Sequence, residues 1–510
     1  MALAEDLVDQ FMQRLLHREL AVGREVGAAA PRTGDDGAVA IGENGLGLGA
    51  TCVDADDERW GMRALHHATG SIYFEARVPS FDRARSMPVP SRRELLRLSL
   101  ASVLLPLGRP RAGEARPAAG AEEMRGLWVT RSWMTTPAQV AQVVDDASRH
   151  GFTAMFVQVR GRGDAFYRGG PDPRAALLSQ QPATFDPLGD LVGRARAAGL
   201  QVHAWMNVNL VAGATAMPAS AQHVTVQHPE WVMVPRPLVP TVLRLSPRDP
   251  RYLPTIATWS ARHSATIEGV FSSPIPEGAQ DRLDATIAHL TSAYELDGLH
   301  LDYIRYPSPD FDCSRAALDA FRDALVPELT PRELAALDAR AVSAPLTFVE
   351  DFPARWVAFK RERLTRLVTR LGTTARGNRP GLRMTAAVWP DPTYARDYKL
   401  QDWSRWLRDG LVDAVCPMMY MSSGSTFERQ LQELSSQAAG GVWPGIGAYK
   451  ISADEAARRV ETARAMGFSG VMLYSYDSMT GGQGRPSPYL ATLQRRAFRV
   501  PAAGQAGGSR

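Results

Sequence analysis

The sequence predicts an α/β protein, a TIM (β/α)8 barrel with an irregular N-terminal extension. Three observations predict it. After Glu122, short apolar and β-branched runs alternate with helix-like segments eight times in series, the order expected of parallel strands joined by crossover helices. The runs are apolar on both faces, as a parallel sheet covered by helices requires. Polar residues collect at their C-terminal ends, where such a barrel keeps its functional groups. A doubly wound open sheet is the rival architecture. No GxGxxG follows the first strand, so its nucleotide-binding form has no support.

Residues 1–86 are rich in Gly, Ala and Asp with little periodicity. They read as an upstream extension that is not native, with Met87 as the true start. A small extra segment is the rival, since Ser71 to Val78 could form a strand. Residues 87–121 read as a signal peptide and linker. Arg92 and Arg93 follow a serine, an apolar stretch runs from Leu95 to Leu107, and small residues fill Ala112 to Ala121. That is the charged, apolar, cleavable order of a secretory leader, and the paired arginines fit the twin-arginine type. The expected location is therefore exported, periplasmic or extracellular.

Residues 122–495 hold the barrel, and 496–510 read as a flexible tail. RGLWVT (125–130) is the first strand, followed by a helix opening at Thr136-Pro137, an N-cap and first-turn pair. FTAMFVQVR (152–160) leads to a helix from Asp186-Pro187 to Gly199, and LQVHAWMNV (200–208) follows. A long irregular segment precedes a helix over Ala279 to Tyr294 and the fourth strand, DGLHLDYI (297–304). Then come a helix over Trp356 to Leu371, strand LRMTAAVW (382–389), a helix over Leu400 to Asp409, and strand LVDAVCPMMY (411–420). A helix over Phe427 to Ala438, strand VWPGIGAY (442–449), a helix capped by Ser452 and strand FSGVMLYSY (468–476) complete the series.

Side chains alternate faces along a strand. In the fourth, Leu299 and Leu301 share the helix-facing side, while Gly298, His300 and Asp302 point inward with Asp302 at the top. Asp297, at the strand's start, reads as a turn or cap residue. The same parity aligns Gln158 and Arg160, with Asp164 just beyond. It also aligns His203, Trp205 and Asn207, and Thr385, Ala387, Trp389 and Asp391. Tyr420 ends strand six, Tyr449 and Lys450 end strand seven, and Asp477 follows strand eight. Each has a structural alternative: Trp205 as core, Arg160 in an ion pair, Asp391-Pro392 as a turn. Converging on one mouth, they make a sugar site of aromatic platforms, amides and carboxylates.

Hydrophobic residues make up 45% and charged residues 22% of the 510, and the net charge is +4. No basic block is interleaved with aromatics, so nucleic acid is not an expected partner. No apolar run is long enough for a membrane span. The three cysteines, Cys52, Cys313 and Cys416, form no ligand-spaced cluster, and no HxH or HExxH occurs, so neither metal nor cofactor is expected. Cys416 reads as a buried thiol, with a Cys313–Cys416 disulfide left open.

DGLHLDYIRYP (297–307) resembles the DGIHLDDYxYP signature of the glycosyl-hydrolase-like family typified by the bacterial divisome-localised glycosyl hydrolase. RGLWVT, FVQVRGRGDAFY, VHAWMNV, GIGAYKI and LYSYDS match further blocks of that family in the same order, from about Glu123 to Arg495. The resemblance implies a TIM barrel, export, and hydrolysis of glycan strands, with peptidoglycan stripped of stem peptides as substrate. Three features depart from the pattern. Tyr303 stands where the family has a second acid, PMMYM replaces PQIYW at strand six, and the segment Gly269 to Glu277 is longer.

The leading expectation is a glycoside hydrolase working by paired carboxylates. Asp302 is the foremost catalytic acid, and Asp391 and Asp477 are candidates for the second carboxylate, as is Asp164. Gln158, Arg160, Asp164, Trp205, Asn207, His300, Tyr303, Arg305, Trp389 and Tyr420 are expected to line the polysaccharide. The alternatives are a non-catalytic cell-wall glycan-binding barrel, or a hydrolase of another amino-sugar exopolysaccharide. A metal-dependent hydrolase built on His203, His300 and Asp302 ranks last.

Overall fold

A computed structural model of the chain describes residues 123–498, apart from 216, 438–440 and 482–486. The extension expected at 1–86 and the leader and linker expected at 87–121 lie outside the described residues.

Eight parallel strands close into a barrel in chain order: β1 (Met124–Val129), β2 (Ala154–Arg160), β3 (Gln201–Asn207), β4 (Gly298–Asp302), β5 (Arg383–Val388), β6 (Ala414–Met419), β7 (Gly445–Gly447) and β8 (Gly470–Tyr474). A helix follows each. These are α1 (Pro137–Arg149), α2 (Pro187–Ala197), α3 (Glu277–Ala293), α4 (Pro353–Asn378), α5 (Trp403–Arg408), α6 (Gly424–Gln437), α7 (Ala453–Ala465) and α8 (Pro488–Arg496). The fold is the TIM barrel expected. Side chains of Thr136, Asp186 and Ser452 cap α1, α2 and α7 by accepting N–H bonds in the first turn.

Two apolar layers follow from strand parity. Leu127, Val157, Ala204, Leu299, Leu301, Ala386, Val415 and Leu473 face the helices and are fully buried. Trp128, Phe156, Trp205, Cys416, Trp443 and Met472 fill the barrel interior. Gly298 leaves room for His203, since a Cβ there would lie 2.1 Å from the imidazole Nδ1. At the base, residues preceding one strand bond the first N–H groups of a neighbour: Asp297 accepts from Val202 N at 2.8 Å, and Thr153 accepts from Arg125 N at 2.9 Å. Asp413 does the same for Met384 N at 2.6 Å.

Two insertions rise from the C-terminal face. The first, after β3, pairs Leu210–Ala212 antiparallel with Val270–Phe271 and carries a helix at Tyr252–Arg262. The sequence reads as irregular there because that helix has no side-chain cap at its start. The second, after β4, carries helices at Arg315–Leu325 and Pro331–Ala341, packed through Phe321 against Trp356 of α4 at 5.0 Å. Cys313 and Cys416 are free and buried, so the disulfide left open does not form. The barrel extends past the expected limit at 495: Phe498 is fully buried, with its ring 5.2 Å from Phe152.

Candidate active site

Asp302 ends β4 at the barrel mouth, 6% exposed. Its Oδ1 accepts the Tyr303 N–H at 2.6 Å, and its Oδ2 accepts the Trp205 indole N–H at 3.1 Å. Arg305 Nη1 lies 3.8 Å from Oδ1. Burial outweighs these donors and raises the carboxyl above its ordinary range, and the charge of Glu268 adds to the rise. Tyr303 adopts a left-handed backbone, φ 50°, which costs a non-glycine residue about 1–3 kcal/mol and is tolerated where surrounding bonds enforce it. Its carbonyl accepts Asn209 N at 3.2 Å, and the carbonyl of Asp302 accepts Val208 N at 2.8 Å, so the tops of β3 and β4 stay zipped.

The Arg305 guanidinium joins Asp302 to a second carboxylate that the sequence reading missed. Arg305 Nη2 donates to Glu268 Oε1 at 3.0 Å, and its carbon lies 4.1 Å from the Tyr303 ring centroid. Glu268 stands in the first insertion, one residue before Gly269. A Cβ on Gly269 would come 2.2 Å from the Ala212 carbonyl oxygen, so only glycine lets the ribbon close and hold Glu268 over the mouth. Burial alone would raise the Glu268 carboxyl, but Arg305 and Lys399 outweigh it and leave it below its ordinary range. Lys399, also missed, is buried, with Nζ 2.6 Å from the Pro307 carbonyl. Burial brings its ammonium down to about 8, helped by Arg305 and opposed by Glu268.

The other expected residues divide by position. Trp205 shares its indole N–H between Asp302 and the Asn207 Oδ1, 3.1 Å from each. Asn207 donates to the Gly161 carbonyl at 2.9 Å, and Gln158 reaches Asn207 Oδ1 at 3.4 Å. These three are buried supports one step back from the acids. His300 lies a layer below Asp302, fully buried. Its Nε2 accepts the Trp128 N–H at 3.1 Å, so Nδ1 carries the proton toward Thr385 Oγ1 at 2.9 Å. Burial depresses His300 well below the ordinary range and His203 to about 3.

Arg160 was expected to face substrate. Instead it is buried in an ion pair with Asp172 at 2.7 Å and bonds the Asn207 carbonyl, because the bulge between Gln158 and Arg160 turns it out of the strand's register. Asp164 closes a turn on Arg162 N at 2.8 Å. Asp391 is exposed and spends one oxygen capping the short helix Pro392–Asp397 through Thr393 N at 2.8 Å and Tyr394 N at 2.9 Å. Asp477 accepts from Thr130 Oγ1 at 3.3 Å beside β8, which stands four places round the barrel from β4. Neither Asp391 nor Asp477 is brought to the Arg305 guanidinium. Tyr420 stacks on Tyr474 at 5.2 Å, with Trp128 and Tyr449 edge-on, forming an aromatic wall. Trp389 lies half-buried with the Arg305 guanidinium 6.0 Å from its ring.

A carboxyl raised above its ordinary range beside one held below it is an arrangement that acid–base cleavage of an acetal can use. Among the described residues, no group of three His, Cys, Asp or Glu could hold a metal ion, and no helix is long and apolar enough to cross a membrane.

The sequence matches the family described as glycosyl hydrolase-like 10 over residues 123–258 and 240–465. It is 22% identical over 336 residues to the glycosyl hydrolase YngK of Bacillus subtilis, covering 59% of this chain and 55% of that protein. It is 23% identical over 370 residues to the glycosyl hydrolase DigH of Escherichia coli K12, covering 61% of this chain and 69% of that protein. The chain thus spans little more than half of the Bacillus relative. The glycoside hydrolase domain of PgaB (BpsB) from Bordetella bronchiseptica superposes with a TM-score of 0.52 at 15% identity, over 74% of this chain and 100% of that domain, a likeness of fold.

Proposed function

The chain belongs to the glycosyl hydrolase-like 10 family, and from that premise we propose that it is a glycoside hydrolase whose working pair is Asp302 and Glu268. The observation that carries this reading is the shared Arg305, with Asp302 raised and Glu268 lowered on either side of it. Asp302, protonated, gives its proton to the glycosidic oxygen as the bond from the anomeric carbon to that oxygen breaks. Glu268, ionised, takes the proton of the attacking water or bonds the anomeric carbon itself. Trp205 and the Tyr303 N–H hold the acid in place. Arg305 favours the ionised form of both carboxyls, and the deeper burial of Asp302 leaves it the raised member of the pair. The aromatic wall of Tyr420 and Tyr474 and the ring of Trp389 receive sugar faces.

The substrate in this reading is an amino-sugar polysaccharide. Peptidoglycan strands stripped of stem peptides come first, as the HLD motif of β4 implies. Export follows from the leader-like residues 87–121. A strain producing the chain from Met87 should secrete it, cleaved within about residues 112–122, and secretion unaffected by Arg92→Lys with Arg93→Lys would remove the twin-arginine reading.

The decisive assay is release of reducing ends from such strands. Asp302→Asn and Glu268→Gln should each lower turnover by about 10²–10⁴-fold, the range of acid–base catalysis, with the folded state retained. Near-normal turnover in either variant removes that residue from the pair. Strands bound but never cleaved by the unmodified protein would instead favour a glycan-binding barrel.

A further inference from the structure

Three aromatic rings lead away from the mouth along the segment between β5 and α5. Trp389 follows β5. Tyr394 lies 5.7 Å from it between centroids, and Tyr398 stacks on Tyr394 at 4.8 Å with planes 19° apart. Tyr394 is 41% exposed and Tyr398 38%, in a barrel whose other large rings are mostly enclosed. Neither tyrosine hydroxyl bonds to a described residue. Lys399 Nζ lies 5.2 Å from the Trp389 centroid and 5.3 Å from that of Tyr398, so a cation sits within the row. The inner end adjoins the proposed catalytic pair: the guanidinium of Arg305, which bonds Glu268, lies 6.0 Å from the Trp389 centroid.

The segment that presents these rings is braced at both ends. Asp391 caps its short helix. The buried Gln401 accepts Trp389 N at 2.9 Å and donates to the Ala387 carbonyl at 3.1 Å, and the Trp403 indole donates to the Trp389 carbonyl at 3.1 Å. Exposed rings held rigidly in a row are poorly explained by packing, because they leave apolar surface in water. They suit a ligand with alternating apolar faces and hydroxyls, which can stack on the rings while bonding the phenols.

We propose that Trp389, Tyr394 and Tyr398 form an outer binding site for sugar units beyond the linkage held at Asp302 and Glu268, so that the protein prefers a polymer over short oligosaccharides. This rests on the glycosidase reading of the mouth and specifies its substrate as an extended chain.

The test compares long stem-peptide-free peptidoglycan strands with tetrasaccharides cut from them. Binding is measured on the full chain carrying Asp302→Asn, so that no cleavage intervenes. The expected result is tighter binding of the long strands, with the length advantage cut about tenfold by Tyr394→Ala with Tyr398→Ala, the effect of losing two stacking rings. Tyr394→Phe with Tyr398→Phe, which keeps the rings, should restore most of it. Should the alanine pair melt early, Tyr398→Gln, which leaves Tyr394 against Trp389, carries the same comparison. An unchanged length advantage in the folded alanine or glutamine variant overturns the outer site and leaves cleavage at the mouth standing. Tyrosine-dependent binding by a protein that releases no reducing ends keeps the outer site and overturns the glycosidase reading. Failure to bind long strands at all overturns both for this polymer.

Discussion

At the scale of single residues, the two acids make opposite demands on pH. Asp302 has a raised carboxyl, so its contribution to stability is complete below the ordinary aspartate range and is lost as pH rises through its folded value. Asp302→Asn removes that loss. Its Oδ1 can still take the Tyr303 N–H, and the Trp205 N–H keeps Asn207. The expected outcome is a melting temperature at pH 7 equal to or above that of the unmodified protein, read by calorimetry, and a clear drop would return Asp302 to a structural role. Glu268 is lowered, so activity should fall on the acid side as pH drops through its value, and on the alkaline side as Asp302 ionises. Lys399→Met takes away one of the two cations that hold Glu268 down. The acid limb of the pH profile of kcat/KM should move upward, and an unmoved limb would detach Lys399 from Glu268.

At the scale of elements, barrel strand and inserted ribbon contribute one carboxylate each, and glycines in the two places should fail differently. Gly269→Ala pushes a methyl into the Ala212 carbonyl, so the ribbon must open and carry Glu268 with it. A misplacement near 1 Å can cost about 10²-fold in rate, while the barrel layers stay untouched. Gly298→Ala drives a methyl into the His203 ring inside the closed barrel. Overpacking there costs about 1–3 kcal/mol. Parallel kinetics and thermal melts should therefore show Gly269→Ala losing kcat/KM with little change in melting, and Gly298→Ala losing melting temperature. The reverse pattern would mean that the ribbon, not the interior, sets the stability of the domain.

For the whole molecule, the barrel was legible because its signal is local and repeated. Strand parity alone put Gly298, His300 and Asp302 inward and Leu299 and Leu301 outward, and the structure has them so. The insertions were less legible. Thr330-Pro331-Arg332-Glu333 carries a capping box that announces the helix at Pro331–Ala341, but the helix at Tyr252–Arg262 has no such cue. Glu268 belongs to no motif. It becomes visible only when a two-residue strand folds back 58 to 61 positions along the chain to pair with Ala212 and Leu210, a non-local contact that no periodicity encodes. Arg160 misled for a related reason, since a single bulge removes it from the face that alternation assigns.

A site divided between barrel and ribbon need not perish by unfolding. The barrel is sealed by continuous ladders and by side-chain clamps at its base, whereas the ribbon pairs through two short strands outside those ladders, so its opening is a smaller event than unfolding of the barrel. On warming, the ribbon should part while the barrel still melts as a unit at a higher temperature. Catalysis would then vanish several degrees below the calorimetric transition and return on cooling, and substrate strands lying across the ribbon would raise the first temperature more than the second. Coincident loss of turnover and of barrel structure, with and without substrate, would show instead that the ribbon is as firmly seated as the strands beneath it.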